Sequence, residues 1–208
     1  AFRMNDLDLR DPHVFINFAG CRDVTDTPLV GFAVNSELQT SIQTDGDAPP
    51  DGRLDPAQVE DLVAKERAAL LVLENTHTRA GGTVLSVELT GALAGAARRQ
   101  DCRVHIDGAR LVNAAVALGV PPAALTEGAN SVAFSLNKGL SAPGGAVLAG
   151  SQAVVERARL MLQRLGGASM HRAGIFAAAG LVALETMVER IADDHRRARA
   201  LGAAVAGI

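Results

Sequence analysis

The arrangement of apolar and polar positions changes its period repeatedly from about residue 56 onward. Short runs in which nearly every residue is apolar are typical of strands buried on both faces, whereas apolar residues at every third or fourth position are typical of amphipathic helices. The two kinds of segment alternate, which predicts an α/β fold with a mostly parallel sheet flanked by helices. The predicted strands cover 69–75, 103–107, 131–136 and 145–149, and the predicted helices cover 57–68, 89–100, 109–119 and 152–165.

Local signals at the ends of these segments add detail. Asp55 followed by Pro56 predicts the cap and the first residue of the first helix, because an aspartate accepts the free N–H groups there. Gly119 predicts the end of the third helix. The strand at 145–149 is expected to pair with the strand at 131–136 across the loop between them. The helix at 152–165 is expected to turn five residues inward: Val154, Val155, Ala158, Met161 and Leu162.

The two ends of the chain follow other patterns. Two strand-prone segments, 14–20 and 29–35, precede a stretch at 44–55 that is rich in turn formers. Its aspartates resemble a calcium loop, but two prolines interrupt the ligand spacing, so a solvated turn is predicted. The segment 173–188 is apolar nearly all round and predicts a buried helix or a subunit contact, continuing into a charged helix. We therefore divide the chain into an N-terminal segment 1–50, a domain 51–188 and the start of a helical connection 189–208.

Composition narrows the class of protein. The chain has 208 residues, of which 48% are hydrophobic and 21% charged, so it can bury a sizeable core. A net charge of -3 offers no basic surplus for a nucleic-acid partner. No apolar run approaches the length of about eighteen residues that a membrane span needs, and the N-terminus does not read as a signal peptide. A soluble, cytoplasmic protein is therefore expected. Cys21 and Cys102 form no metal-binding or disulfide pattern, which favours free thiols.

Two residues that could bind a cofactor stand where predicted strands end. Asp107 closes the apolar run 103–107, and Lys138, one of only two lysines, follows the run 131–136. Ligands bind at the carboxyl ends of strands in open α/β sheets. A lysine there can form a Schiff base with an aldehyde cofactor, and an aspartate one strand away can keep a pyridine nitrogen protonated. The alternatives are a lysine in a surface loop and an aspartate that only caps the next helix.

Four segments resemble the low-specificity threonine aldolases, and they follow one another in that family's order and spacing over roughly residues 52–206: ENTHTRAGGT, HIDGARLVNAAVALGV, SLNKGLSAPGGAVLAG and AAAGLVALETMVERIADDH. The resemblance implies a member of the β-eliminating lyases, with the aspartate-aminotransferase type of fold and pyridoxal 5'-phosphate as cofactor. It makes 51–188 an incomplete cofactor-binding large domain and implies a homodimer or homotetramer with active sites between subunits. The implied reaction cleaves L-threonine or L-allo-threonine to glycine and acetaldehyde.

The resemblance also implies roles for individual residues. Lys138 would hold the cofactor as an imine, Asp107 would pair with its ring nitrogen, and Arg110 would be a nearby cation. Asn137 stands where the family usually has serine and can still donate a hydrogen bond to the phosphate. His77 matches a histidine near the β-hydroxyl of the substrate, from which it could take the proton.

Further residues are assigned by the same route. Glu74 and Asn75 would orient His77 or the ring substituents near the substrate, and Arg172 would be a cation beside it. For Arg110 a surface ion pair is the alternative, and for His77 a structural role in its loop. His105 is interpreted as core or cofactor-proximal packing. His171 and His195 are interpreted as surface or interface residues, and no metal site is predicted.

Some family features find no match in the sequence. No Ser-Gly-Thr turn for the phosphate and no histidine that would stack on the ring occur in residues 1–50. Ile208 lies within the expected connection to a small domain, which supplies the arginine for the substrate carboxylate in that family. A non-catalytic remnant on the same scaffold therefore stays open. A β-eliminating amino acid lyase also stays open, because Lys138 and Asp107 would serve either reaction. A generic α/β binding module would leave a buried Lys138 unexplained.

Overall fold

A mixed sheet of five strands forms the centre of the fold, which is described by a computed structural model. The described residues are 51–78, 80–165, 167 and 173–207, together with the backbone of 14–17. The strands are β1 (Val14–Asn17), β2 (Leu70–Glu74), β3 (Arg103–Asp107), β4 (Ser131–Ser135) and β5 (Ala146–Gly150). The helices are α1 (Pro56–Glu66), α2 (Val87–Arg99), α3 (Leu111–Leu118), α4 (Gln152–Arg164), α5 (Ala173–Thr186) and α6 (Ile191–Val205), with a 3-10 helix at Pro122–Thr126.

The strand order is β1-β5-β4-β3-β2. Strands β2, β3 and β4 are parallel, whereas β5 is antiparallel to β4 and β1 is antiparallel to β5. The alternation of strands and helices, the mostly parallel interior and the pairing of β5 with β4 are thus confirmed. In the parallel part Glu74 lies opposite Asp107, and Asp107 lies opposite Ala133. This register brings the carboxyl ends of three strands to one edge.

The helix ends follow from their capping residues. The Asp55 carboxylate accepts the backbone N–H groups of Ala57 and Gln58 at 2.8 and 3.1 Å, and Pro56 begins α1, as predicted. Gly119, with φ 67°, ends α3 in the left-handed conformation that glycine adopts without strain. The capping residues therefore determine where α1 begins and where α3 ends.

Two clusters of buried side chains hold the layers together. One joins α1 and α2 to β2 and includes Val59, Leu71 and Leu93, all with no exposed surface. The other joins α3 to β4, to the segment after β4 and to the start of α6, and includes Phe134 and the fully buried Ile191. The second cluster lies beneath the segment that carries Lys138, so the core directly supports that segment.

The helical C-terminal part, from α4 onward, differs from the sequence predictions in three ways. In α4 only Val155 is buried, and the other four residues predicted to face inward are half-buried. Helix α5 buries only Gly180 and Ala183, while Ile175 is 65% exposed, so a buried α5 is wrong for the single chain and a subunit contact stays a prediction. A break at 187–190 separates α5 from α6, which were predicted to be continuous, because the chain turns there to bury Ile191.

Several sequence predictions concern residues outside the described ranges. They include the strand at 29–35, most of the turn at 44–55, Cys21, His171 and Arg172. Cys102 is described and is a buried free thiol, and burial raises its pKa. None of the helices in the described ranges combines the length and the apolar character that a membrane crossing requires.

Candidate active site

Loops from three parallel strands meet at the carboxyl edge of the sheet. Glu74 ends β2, Asp107 ends β3, and Lys138 lies in the turn after β4, three residues beyond the end of that strand. Because Glu74 and Asp107 are paired in register and Asp107 is paired with Ala133, the loops that follow the three strands leave the sheet side by side. The structure thus places the main sequence-predicted residues at one edge.

Lys138 lies at the exposed tip of a turn whose ends are buried. Leu136 and Leu140, on either side of the tip, are 0% and 1% exposed. The Ser141 N–H donates to the Lys138 carbonyl at 2.9 Å, and the Leu136 N–H donates to the Gly145 carbonyl at 2.9 Å. The expectation of a buried lysine is therefore wrong: burial belongs to the neighbouring leucines, and Lys138 itself is exposed.

The Asp107 carboxylate is half-buried and turned into the loop that follows β3. Its Oδ1 accepts the N–H of Ala109 at 3.2 Å. Helix α3 begins later, after Arg110, which makes no side-chain capping hydrogen bond. Asp107 therefore does not cap α3, contrary to the alternative drawn from the sequence. A methyl group on Gly108 would lie 3.0 Å from the Ala133 carbonyl, so glycine lets the loop stay close to β4.

Arg110 joins the loop after β3 to the loop after β2. Its Nη1 donates to Thr78 Oγ1 at 3.2 Å. Among the described residues it forms no ion pair, so the surface ion-pair alternative has no support there. No hydrogen bond or ion pair joins Arg110 to Asp107 among the described residues.

His77 is 5% exposed and is held at both its backbone and its ring. Its N–H donates to the Thr83 carbonyl at 2.8 Å, and the Gly82 N–H donates to the His77 carbonyl at 2.9 Å. The Ala80 N–H donates to His77 Nδ1 at 3.1 Å. Since Nδ1 uses its lone pair for this bond, the neutral imidazole carries its proton on Nε2.

Glu74 and Gly52 both lie beside the His77 ring. Glu74 Oε2 lies 4.0 Å from His77 Nε2, and Glu74 Oε1 accepts the Thr78 N–H at 3.3 Å. Gly52, with φ 67°, lies so close to His77 that a methyl group on it would be 3.2 Å from ring atoms Cγ and Nδ1. The segment that leads into α1 thus packs against one side of the imidazole.

Asn75 has a structural role that the sequence did not indicate. Its Nδ2 donates to the Leu85 carbonyl at 3.1 Å, and its Oδ1 accepts the Leu85 N–H at 3.2 Å. Its own N–H donates to the Asp107 carbonyl at 2.9 Å. The side-chain amide is therefore committed to closing the loop between β2 and α2, rather than to orienting His77 or ring substituents.

His105 lies beneath the site on β3, two residues before Asp107 and therefore on the same face of the sheet. Its Nδ1 lies 2.8 Å from Ser131 Oγ. Burial lowers the pKa of this histidine, and the negative charge of Asp107 partly opposes the shift. His105 is buried, in agreement with core packing, and it lies close to Asp107, whereas packing near a cofactor stays a prediction.

We expect the free energy of unfolding to fall in mild acid because of His105. Its pKa in the folded chain is below the unfolded value near 6.5, so the neutral form contributes stability that is fully present above that pH and lost as the pH falls below it. Urea unfolding at about pH 7.5 and 5.5 measures the effect, and His105→Gln should reduce this loss. An equally large loss in that variant would assign the effect to other groups. His195→Gln, at a half-buried position of α6, is the matched control.

Asn113 on α3 was not singled out from the sequence. The structure places its side chain against Gly139, the residue after Lys138, and its Nδ2 lies 3.4 Å from His195 Nε2 on α6. Asn137, next to Lys138, is exposed at the same tip. Arg172 lies outside the described residues, so the structure does not place it.

Comparison with known proteins agrees with this arrangement. A family model described as beta-eliminating lyase matches residues 30–208, beginning within the N-terminal segment that the sequence patterns left unassigned. Low-specificity L-threonine aldolase 1 of Arabidopsis thaliana is 41% identical over 158 residues, covering 73% of the chain and 44% of that protein. The low specificity L-threonine aldolase of Escherichia coli is 37% identical over 157 residues, covering 73% of the chain and 46% of that protein.

The fold has a solved counterpart in a threonine aldolase from Leishmania major. That structure matches with a TM-score of 0.65 at 19% identity, over 76% of the chain and 48% of its own length. The chain spans less than half the length of these curated relatives. The family model covers most of the chain. The chain therefore belongs to the beta-eliminating lyase family, whose enzymes depend on pyridoxal phosphate.

Proposed function

We propose that the chain is the cofactor-binding part of a pyridoxal-phosphate-dependent aldolase that cleaves β-hydroxy-α-amino acids, with L-threonine and L-allo-threonine as substrates and glycine as a product. The observation that carries the proposal is that Asp107, at the end of β3, and Lys138, in the turn after the neighbouring parallel strand β4, lie at the same edge of the sheet. The similarity to threonine aldolases from a plant and a bacterium supports the substrate class.

The residues at this edge fit the cofactor chemically. Within the described ranges the Lys138 amine forms no ion pair, and the only hydrogen bond to the Asp107 carboxylate comes from the Ala109 N–H. An amine without a carboxylate partner is available to an aldehyde, and a carboxylate without a cationic partner is available to a protonated ring nitrogen. Both groups that an aldehyde-bearing pyridine would need, an amine and a carboxylate, are thus present.

Each residue would act on a different part of the cofactor. Lys138 would hold the aldehyde carbon, Asp107 the ring nitrogen and Asn137 the phosphate, with Arg110 as a nearby cation. When bound, pyridoxal phosphate accepts the electron pair that remains on Cα after the Cα–Cβ bond breaks. Asp107 contributes by keeping the ring nitrogen protonated, since a carboxylate stabilises a neighbouring positive charge. The freed Lys138 amine can then hold or return a proton.

The substrate hydroxyl proton requires an acceptor, and the His77–Glu74 pair supplies one. His77 Nε2 carries a proton because Nδ1 is engaged by Ala80, so this nitrogen acts as a donor in the neutral ring. Glu74 Oε2 lies 4.0 Å from it. We propose that Glu74 accepts the hydroxyl proton while His77 orients the carboxylate. This modifies the sequence-based role of His77 as the acceptor.

Glu74→Gln should lower kcat for threonine cleavage by roughly 10²- to 10⁴-fold, the usual contribution of a general base. The amide cannot accept the proton. His77→Gln should lower kcat less, because the carboxylate that accepts the proton is still present. A larger loss of kcat in His77→Gln than in Glu74→Gln would return the acceptor role to His77. The cofactor absorbance, which depends on Lys138, should be the same in both variants.

The proposal is tested by a visible absorption spectrum of the purified 208-residue chain with added pyridoxal phosphate, before and after borohydride. A visible band that borohydride removes, with the mass of the reduced cofactor added to Lys138, supports a working site. No band and no added mass would favour the non-catalytic remnant. Product analysis with L-threonine then separates cleavage to glycine from β-elimination. β-Elimination is the second candidate reaction because the matching family model is described as beta-eliminating lyase.

Further parts of the proposal concern the whole protein. We propose a homodimer or homotetramer in which the exposed apolar side of α5, including Ile175 and Val182, lies in a subunit contact. A cytoplasmic location, Arg172 as a substrate-proximal cation, and the division at residues 50 and 188 stay predictions. An amino acid is the proposed small-molecule partner.

A further inference from the structure

We propose that Asn113 is a positioning residue for Lys138: its carboxamide, packed on Gly139 and linked to His195, holds the turn that presents the lysine. The role of Lys138 itself rests on the proposed function, whereas the contacts around Asn113 do not. Asn113 lies on α3, His195 on α6 and Gly139 in the turn after β4, so the inference joins three elements that are distant in sequence.

The contact between Asn113 and Gly139 is close. A methyl group on Gly139 would lie 3.0 Å from both Cγ and Nδ2 of Asn113, and nearer still to Oδ1. The backbone of Gly139 does not have the positive φ that favours glycine, unlike Gly145 nearby. Space rather than backbone conformation therefore requires a glycine here, and the Asn113 carboxamide occupies that space.

The carboxamide is supported from behind. Asn113 Nδ2 lies 3.4 Å from His195 Nε2, and it donates to that nitrogen when the histidine is neutral and protonated on Nδ1. His195 stands one turn after the fully buried Ile191, which fixes the start of α6 in the core. On α3, Leu111 and Val112 are 1% and 3% exposed. Asn113 thus stands on one anchored helix, α3, and is linked to another, α6.

Within the turn, backbone hydrogen bonds from Ser141 to Lys138 and from Ala142 to Leu136 set its shape, but the side chains at its tip are not packed. Leu136 and Leu140 bury its two ends, but Asn137 and Lys138 at the tip are exposed. Gly139 is the residue next to Lys138 at which a neighbouring helix contacts the tip. Restricting a reacting group to fewer conformations raises its rate of reaction, because less entropy is lost on reaching the reactive geometry. Asn113 would do this for the Lys138 amine through the backbone.

A purely structural role makes a different prediction. If Asn113 only stabilises the packing of α3 against α6, its loss should lower overall stability without affecting Lys138 more than any other destabilising change. Asn130 offers the matched control. Its Oδ1 accepts the Val104 N–H at 2.7 Å at the opposite edge of the sheet, so Asn130→Ala also removes a structural asparagine but leaves the turn untouched.

The test measures the rate at which pyridoxal phosphate labels Lys138 in the 208-residue chain, trapped by borohydride and located by mass spectrometry. Asn113→Ala and Gly139→Ala should each slow labelling on the order of 10-fold, because either change loosens or displaces the turn. The double variant should recover part of the loss, since the methyl group added at position 139 fills the space left by the carboxamide. Asn130→Ala should label at the parent rate.

Labelling of Asn113→Ala at the parent rate, with stability lowered as in Asn130→Ala, would overturn the inference. Should Gly139→Ala not fold, the comparison of Asn113→Ala with Asn130→Ala still decides the question. If the parent chain is not labelled at Lys138, the proposed function fails and the positioning role is judged by amide hydrogen exchange. Asn113→Ala should then accelerate exchange of the Ser141 N–H, which donates to the Lys138 carbonyl, relative to Asn130→Ala. Equal exchange in the two variants would overturn it.

Discussion

Replacing Lys138 by alanine should abolish the visible band that forms with pyridoxal phosphate, while the fold is largely retained. The side chain is exposed at the tip of its turn, and the buried Leu136 and Leu140 hold that turn without it. Surface truncations of this kind change the free energy of unfolding by only about 0.5 kcal/mol. Absorption spectra and urea unfolding curves measure both halves of this expectation.

The chain carries its own control for that experiment. Lys65, the other lysine, lies on α1 with its amine 3.8 Å from Glu66 and is also exposed. Lys65→Ala should therefore leave the band unchanged. A band of parent intensity in Lys138→Ala would mean that the aldehyde reacts elsewhere and would refute the role of Lys138.

Replacing Asp107 by asparagine should keep the label on Lys138 but lower threonine turnover by roughly two powers of ten or more, the scale of a lost charge interaction at a reacting centre. Asparagine has the shape of aspartate, and its Oδ1 can still accept the Ala109 N–H. It carries no negative charge, however, so it cannot keep a ring nitrogen protonated. The affinity for pyridoxal phosphate, measured by absorbance titration, should fall as well.

Asp101→Asn is the matched control for the charge. Asp101 is exposed in the turn before β3, at the other end of the same strand, and its φ of 55° is one that asparagine tolerates. This variant should show parent affinity and turnover. Near-normal affinity and turnover in Asp107→Asn would refute the pairing assigned to Asp107.

The parallel part of the fold and its edge could be predicted because the signals are local. An apolar run that ends in a charged residue marks both the strand and the place where it leaves the sheet, which is why Asp107 and Lys138 were predicted at one edge. Asp55 likewise signals its own helix, since a cap acts on residues two and three positions away.

The residues that the sequence did not reveal act over long distances in the chain. Asn75 pairs with Leu85 across a loop, and Asn113 contacts Gly139 and His195 on other elements. Nothing adjacent to either asparagine indicates its partner. For α5 the sequence left a buried helix and a subunit contact as alternatives, because apolar residues all round a helix do not reveal which of them the same chain covers.

The short segment between Gly52 and Asp55 has a consequence for insertions. Exposed segments that lead into a helix ordinarily accept extra residues at little cost. Here Gly52 packs on the His77 ring at one end, and Asp55 caps α1 at the other, so the length between them is fixed by both contacts. One added residue would have to give up either the covered imidazole or the helix cap. This segment therefore sets a spacing between the first helix and the carboxyl edge of the sheet.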